Sequence, residues 1–87
     1  MAKRKTTEKR DVEAMLTTYR QICREEVGPM NYVNSRPAFA RIAADFPWVE
    51  GVAKSYEEGD PEGAFFLDVR TRMRAIQNEV RAERIEQ

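Results

Sequence analysis

The sequence predicts an all-α protein, a small bundle of about four helices with a long C-terminal helix, and three observations lead there. Apolar residues recur at intervals of three and four in the stretches between breakers. Gly28-Pro29, Asp45-Phe46-Pro47 and Gly59-Asp60-Pro61 divide the chain with the residues that stop and start helices. No stretch alternates apolar and polar residues in the two-residue period of a half-buried strand.

The first helix is read over residues 11–27, DVEAMLTTYRQICREEV, where Val12, Met15, Leu16, Tyr19, Ile22 and Cys23 line one side. Thr6 or Thr7 supplies a candidate N-cap, which allows an earlier start. Gly28 and Pro29 end it, because glycine is at ease in the left-handed region and proline cannot continue the helix. Residues 29–35, PMNYVNS, are too few and too turn-rich for a paired strand of consequence.

Asn34 or Ser35 caps a second helix over about 36–45, with Pro37 in the first turn, where its missing N–H costs nothing. Ala38, Phe39, Ile42, Ala43 and then Phe46 keep the helical spacing. Asp45 or Phe46 before Pro47 opens a short third helix carrying Trp48, Val49, Val52, Ala53 and Tyr56. Gly51 weakens its middle by about 1 kcal/mol relative to alanine.

SYEEGDPEG, residues 55–63, packs Glu57, Glu58, Asp60 and Glu62 together and has two readings. A calcium loop needs oxygen ligands at alternating positions with a distant glutamate, and this spacing does not supply them. As punctuation the stretch is complete. Gly59 terminates one helix, Asp60 caps the next, Pro61 takes its first position, and Glu62 lies where the helix dipole favours a negative charge. From Asp60 onward no breaker follows Gly63, so the pattern predicts one helix of about seven turns. Along it Phe66, Val69, Met73, Ile76 and Val80 step by three, four, three and four, a seam of the kind two packed helices share.

At 87 residues the chain makes a single helical domain, residues 11–87, behind a basic and flexible arm, residues 1–10. A domain this small buries only ~60% or slightly more of the surface its unfolded chain exposes. There is one cysteine, Cys23, and no histidine, which removes disulfides, thiolate metal cages, the commonest general base and every histidine-dependent triad. The chain is therefore read as non-enzymatic and without a cofactor. No apolar run approaches the ~20 residues that cross a bilayer. MAKRKTTEKR has the charges of a signal peptide without the hydrophobic segment, so the expectation is a cytoplasmic protein with no membrane partner.

Fifteen basic and fifteen acidic residues give a formal charge of zero, but unevenly distributed. Lys3, Arg4, Lys5, Lys9 and Arg10 face Glu8 alone in the first ten residues, whereas residues 43–62 hold six acids against Lys54. The arm is the candidate nucleic-acid-binding element, since a cationic tail gains affinity by releasing counterions and needs no fixed geometry. Exposed basic residues at a terminus also serve solubility.

Candidate partner-binding residues cluster on the last helix. Phe65 and Phe66 point about 100° apart, so both reach the core only if the seam is wide or a second surface covers one of them. Arg70 and Arg74 share a face, Arg72 lies on the other flank of the seam, and Arg81 and Arg84 follow further along. Long side chains in such places cover apolar atoms and keep their charged heads in water, or meet phosphates. As a heptad, the last helix puts Glu79 and Arg84 where they pair across a parallel dimer, using C-terminal turns beyond the reach of a short first helix; equally, the seam packs on the first helix within the monomer. The aromatic and methionine residues could line a ligand pocket but are read as core, which a chain this short needs them for, and Cys23 is read as a small buried hydrophobe.

RDVEAMLTTYRQI resembles the opening helix of phage late-gene transcriptional regulators of the ArpU type, where a V-x-x-x-L-x-x-Y-R pattern follows a basic, threonine-containing start. The matching residues are Val12, Leu16, Tyr19 and Arg20. The resemblance spans the first helix and implies a phage or mobile-element origin and an association with transcription. Two functional readings follow: a self-associating or partner-binding helical regulatory protein, and a small DNA-associated regulator using the arm and the arginines of the last helix.

Overall fold

Asp11 opens the first helix, its carboxylate accepting a hydrogen bond from the Ala14 backbone N–H at 3.0 Å, in a computed structural model that describes residues 10–85. Four helices follow: α1 (Val12–Glu25), α2 (Ser35–Asp45), α3 (Pro47–Glu57) and α4 (Gly63–Ile85). The all-α architecture with a long last helix is as predicted. Thr6, Thr7 and the rest of residues 1–9 lie outside the described residues, and the cap that starts α1 is Asp11, later than the threonine start allowed.

The end of α1 departs from expectation. Gly28 is extended, at φ −109° and ψ −158°, and the helix has already stopped at Glu25. Val27 and Val33 instead form a one-residue antiparallel bridge, with Gly28 N–H donating to the Tyr32 carbonyl at 2.8 Å and Asn34 N–H to the Glu26 carbonyl at 2.9 Å. A loop closed this tightly must reverse within a few residues. Met30 and Asn31 do so, both at φ 63°, in a 3₁₀ turn over Pro29–Asn31.

The α3 to α4 junction keeps the predicted logic but shifts by three residues. Gly59 takes the left-handed conformation at φ 78° and terminates α3. Asp60 does not cap α4 directly, because residues 60–62 form a tight turn. Gly63, Ala64 and Phe65 donate to the carbonyls three residues back, and α4 begins at Gly63. Gly63 is buried there: a Cβ on it would stand 2.4 Å from the Tyr56 Cα. The first turn of α4 thus lies directly against the backbone of α3.

One core joins all four helices. Met15, Leu16, Tyr19, Ile22 and Cys23 of α1 meet Ala38 and Ile42 of α2, Trp48, Val49 and Val52 of α3, and Phe66, Val69, Met73, Ile76 and Val80 of α4. The predicted seam of α4 is therefore satisfied inside the monomer. Glu13 bonds Arg72, Arg20 bonds Glu79 and Arg24 bonds Glu83, with numbers rising together on both helices at a constant separation of 59. Helices paired in that order run parallel. With this register α1 accompanies α4 as far as Glu83, so the C-terminal turns expected to lie beyond its reach are flanked by it. Within the monomer Glu79 is paired with Arg20 at 2.6 Å, whereas the sequence placed it opposite Arg84 across a parallel dimer.

Candidate functional site

Two hollows flank the α1 and α4 seam, and their charges are arranged differently. On one side, a hollow of about 290 Å³ runs between Leu16, Thr17, Ala75 and Ile76, and its charged residues satisfy one another through Glu13–Arg72 at 2.9 Å and Arg20–Glu79 at 2.6 Å. On the other, a groove of about 620 Å³ opens between α2 and α4, with Phe39, Phe66 and Met73 in its floor and Arg36, Arg70 and Arg74 on its walls.

The placement of these arginines follows from which side chains the helices bury. Phe66, Val69 and Met73 fix the rotation of α4, which leaves Arg70 and Arg74, one turn apart, on the flank facing α2. Ala38 and Ile42, both fully buried, fix α2 so that Arg36 in its first turn and half-buried Phe39 face the same groove. Arg36 and Phe39 also border a shallower hollow of about 470 Å³ over Ala40, Ala43 and Ala44, and Leu67, 48% exposed, stands beside Arg70 and Arg74 on the outer face of α4.

At the back of the groove the Gln77 side-chain amide donates to the Tyr19 hydroxyl at 2.6 Å. Burial pushes the Tyr19 phenol up to about 12, with the Gln77 bond pulling the other way. Burial likewise pushes the Cys23 thiol up to about 11, so it stays protonated near neutral pH and behaves as a packing residue. Among the described residues no three histidine, cysteine, aspartate or glutamate side chains gather closely enough to hold a metal ion. No helix among them is long and apolar enough to cross a membrane.

Ion pairing divides the arginines into two groups, and Arg81 and Arg84 share with the groove arginines the lack of an acidic partner among the described residues. Among the described residues Arg10 pairs with Glu62, Arg20 with Glu79, Arg24 with Glu83, Arg41 with Glu25 and Glu26, and Arg72 with Glu13, whereas Arg36, Arg70 and Arg74 have no acidic partner within 4.0 Å. Three arginines without an ion-pair partner among the described residues thus line one groove together with Phe39, Phe66 and Met73, and Glu57 lines it too, beyond ion-pair distance of them. No protein-family model, curated protein or solved structure matches this chain. An arrangement of this kind suits an anionic group carried on an apolar scaffold, since each guanidinium offers a fork of N–H donors to a carboxylate or phosphate.

The other predicted site residues are dispersed. Phe65 is half-buried: its ring lies 5.9 Å from Trp48 between centroids, and the Arg10 guanidinium sits 5.4 Å above it, so part of its surface is covered within the same chain. Arg81 is half-buried with its guanidinium 4.2 Å over the Tyr32 ring. Arg84 is exposed at the far end of α4. Lys3, Arg4, Lys5 and Lys9 lie outside the described residues. Sequence reasoning singled out Arg70 and Arg74 but missed Arg36 and Phe39. Their spacing of three on one helix edge was visible, and what it faced was not.

Proposed function

We propose that this protein is a small, cytoplasmic, non-enzymatic interaction module that docks an anionic segment of a partner protein in the groove between α2 and α4. One observation carries the reading: Arg36, Arg70 and Arg74 face an apolar floor with no acidic partner among the described residues, in a chain whose arginines along α1 are paired. Three like charges held together gain when a carboxylate enters, and the floor supplies apolar contact for the segment that carries it.

A labelled synthetic amphipathic helix, with glutamates four residues apart beside a leucine stripe, is the probe. Wild-type protein is expected to bind it at low salt, and the R36A/R70A/R74A variant about tenfold or more weakly, the effect of losing roughly 1.4 kcal/mol or more. Equal binding by the two proteins overturns the proposal.

The same unpaired arginines favour a second reading, a DNA-associated regulator of phage or mobile-element origin, in line with the resemblance to ArpU-type regulators. Under it, affinity for duplex DNA falls steeply and linearly on a logarithmic salt axis. A flat response removes it.

A further inference from the structure

Among the described residues, one group of acids without an ion-pair partner lies next to the groove arginines. Glu57, Glu58 and Asp60 are exposed at the α3 to α4 junction, and none has a cationic partner among the described residues; Glu62, the fourth acid of that stretch, is held by Arg10 at 2.9 Å. Glu57 itself lines the basic groove, so the acidic junction borders the arginine wall, yet it stays beyond ion-pair distance of Arg36, Arg70 and Arg74. Two adjacent patches of opposite sign that do not reach each other within one molecule are complementary to themselves about a two-fold axis. Placed face to face, each acidic junction meets the other copy's arginines, and the pairing is made twice.

We infer, building on the interaction reading above, that the occupant of the groove is a second copy of this chain, its acidic α3 to α4 junction set against Arg70 and Arg74 in a reciprocal dimer. Two further features agree with this occupant. The formal charge of zero leaves no net repulsion between copies. Tyr56, 39% exposed beside Glu57, and Leu67, 48% exposed beside Arg70, supply apolar surface next to the charges, as the centre of an interface requires. The dimer differs from a coiled coil through the α4 seam, which the monomer has already buried.

Sedimentation equilibrium over a dilution series tests this with wild-type protein, R70E/R74E, E57R/E58R and an equimolar mixture of the two variants, each checked for helicity by circular dichroism. Wild type is expected to move from one chain mass toward two with rising concentration at low salt and to return toward one in 0.5 M sodium chloride. Each variant alone is expected to stay monomeric, and the mixture to associate again, because the altered groove of one copy then complements the altered junction of the other. R70Q/R74Q, a milder change, is expected to weaken the dimer and, mixed with E57R/E58R, to restore less association than R70E/R74E does, because only one of the two reciprocal contacts is then charged. Wild type that is monomeric throughout yet binds the acidic peptide overturns the second-copy inference and leaves the interaction reading standing; monomeric protein that binds neither peptide nor itself overturns both. Dimers that persist in both charge-reversed variants, or a monomer that binds duplex DNA instead, also overturn the inference.

Discussion

Arg24 and Glu83 are joined by two hydrogen bonds of 3.1 Å, from Nε and from one terminal nitrogen of the guanidinium, across 59 residues of chain. Arg20–Glu79 and Glu13–Arg72 repeat that separation, so the three pairs together describe the register of two parallel helices.

The pairs are exposed, and such pairs gain little beyond what solvent offers. Glu83→Gln is therefore expected to leave the thermal midpoint at neutral pH nearly unchanged, whereas Met73→Ala, which empties part of the seam beside it, should cost about 2–5 kcal/mol. Paired chemical denaturation curves check the contrast, and a large loss in Glu83→Gln would mean the ladder holds the helices rather than only aligning them.

Acid should weaken this ladder in a defined direction. Hydrogen bonding from Arg24 holds the Glu83 carboxyl below its ordinary value of 4.5, and bonding from Gln21 and Arg41 does the same for Glu25. A folded-state value that is depressed contributes stability above the ordinary value and loses it as the pH falls through the depressed one. On this account melting temperature should fall only slightly below about pH 4.5, and Glu83→Gln should differ from wild type in acid by no more than its small effect at neutral pH; a large difference between the two acid profiles would count against so weak a coupling.

Alkali acts through the opposite sign. Burial raises Cys23 from 9.0 to about 11 and Tyr19 from 10.0 to about 12. The stability linked to raised values is complete below the unfolded-state values and is lost as the pH climbs through the folded ones. Unfolding is expected between about pH 9 and 12, with tyrosinate absorbance from Tyr19 developing together with loss of helicity. Cys23→Ala should delay the onset, and a Tyr19 that ionises freely in still-folded protein would contradict its burial.

Two glycines should respond to alanine in opposite ways. A Cβ at Gly63 would stand 2.4 Å from the Tyr56 Cα and 2.9 Å from its backbone nitrogen, so Gly63→Ala forces α4 away from α3 and should cost about 1–3 kcal/mol or more. Gly51 lies exposed inside α3 with nothing within 4 Å, and Gly51→Ala should stabilise by about 0.5–1 kcal/mol. Urea midpoints decide both.

The cap on α1 gives a third measure. Asp11→Ala removes the acceptor for the Ala14 N–H and should cost about 1 kcal/mol, with Asp11→Asn retaining most of the stability. A neutral effect of alanine would place the start of the helix elsewhere.

What the chain alone determined was local. The spacing of Val12 to Cys23 and of Phe66 to Val80 marked the buried stripes, Pro47 marked a helix start and Gly59 a helix end, because periodicity and capping depend on residues a turn or less apart. Gly28 misled for a related reason. Glycine and proline mark a stop, but the extended loop was set by Val27 meeting Val33 across the reversal. Only tertiary structure decided that α1 and α4 run parallel, that Arg72 is claimed by Glu13 while Arg70 and Arg74 are not, that Phe65 is partly covered from within, and that Arg36 completes the groove. Those outcomes join residues separated by tens of positions. They depend on the relative rotation and register of whole helices, which no local spacing encodes and which the packing of one shared core selects.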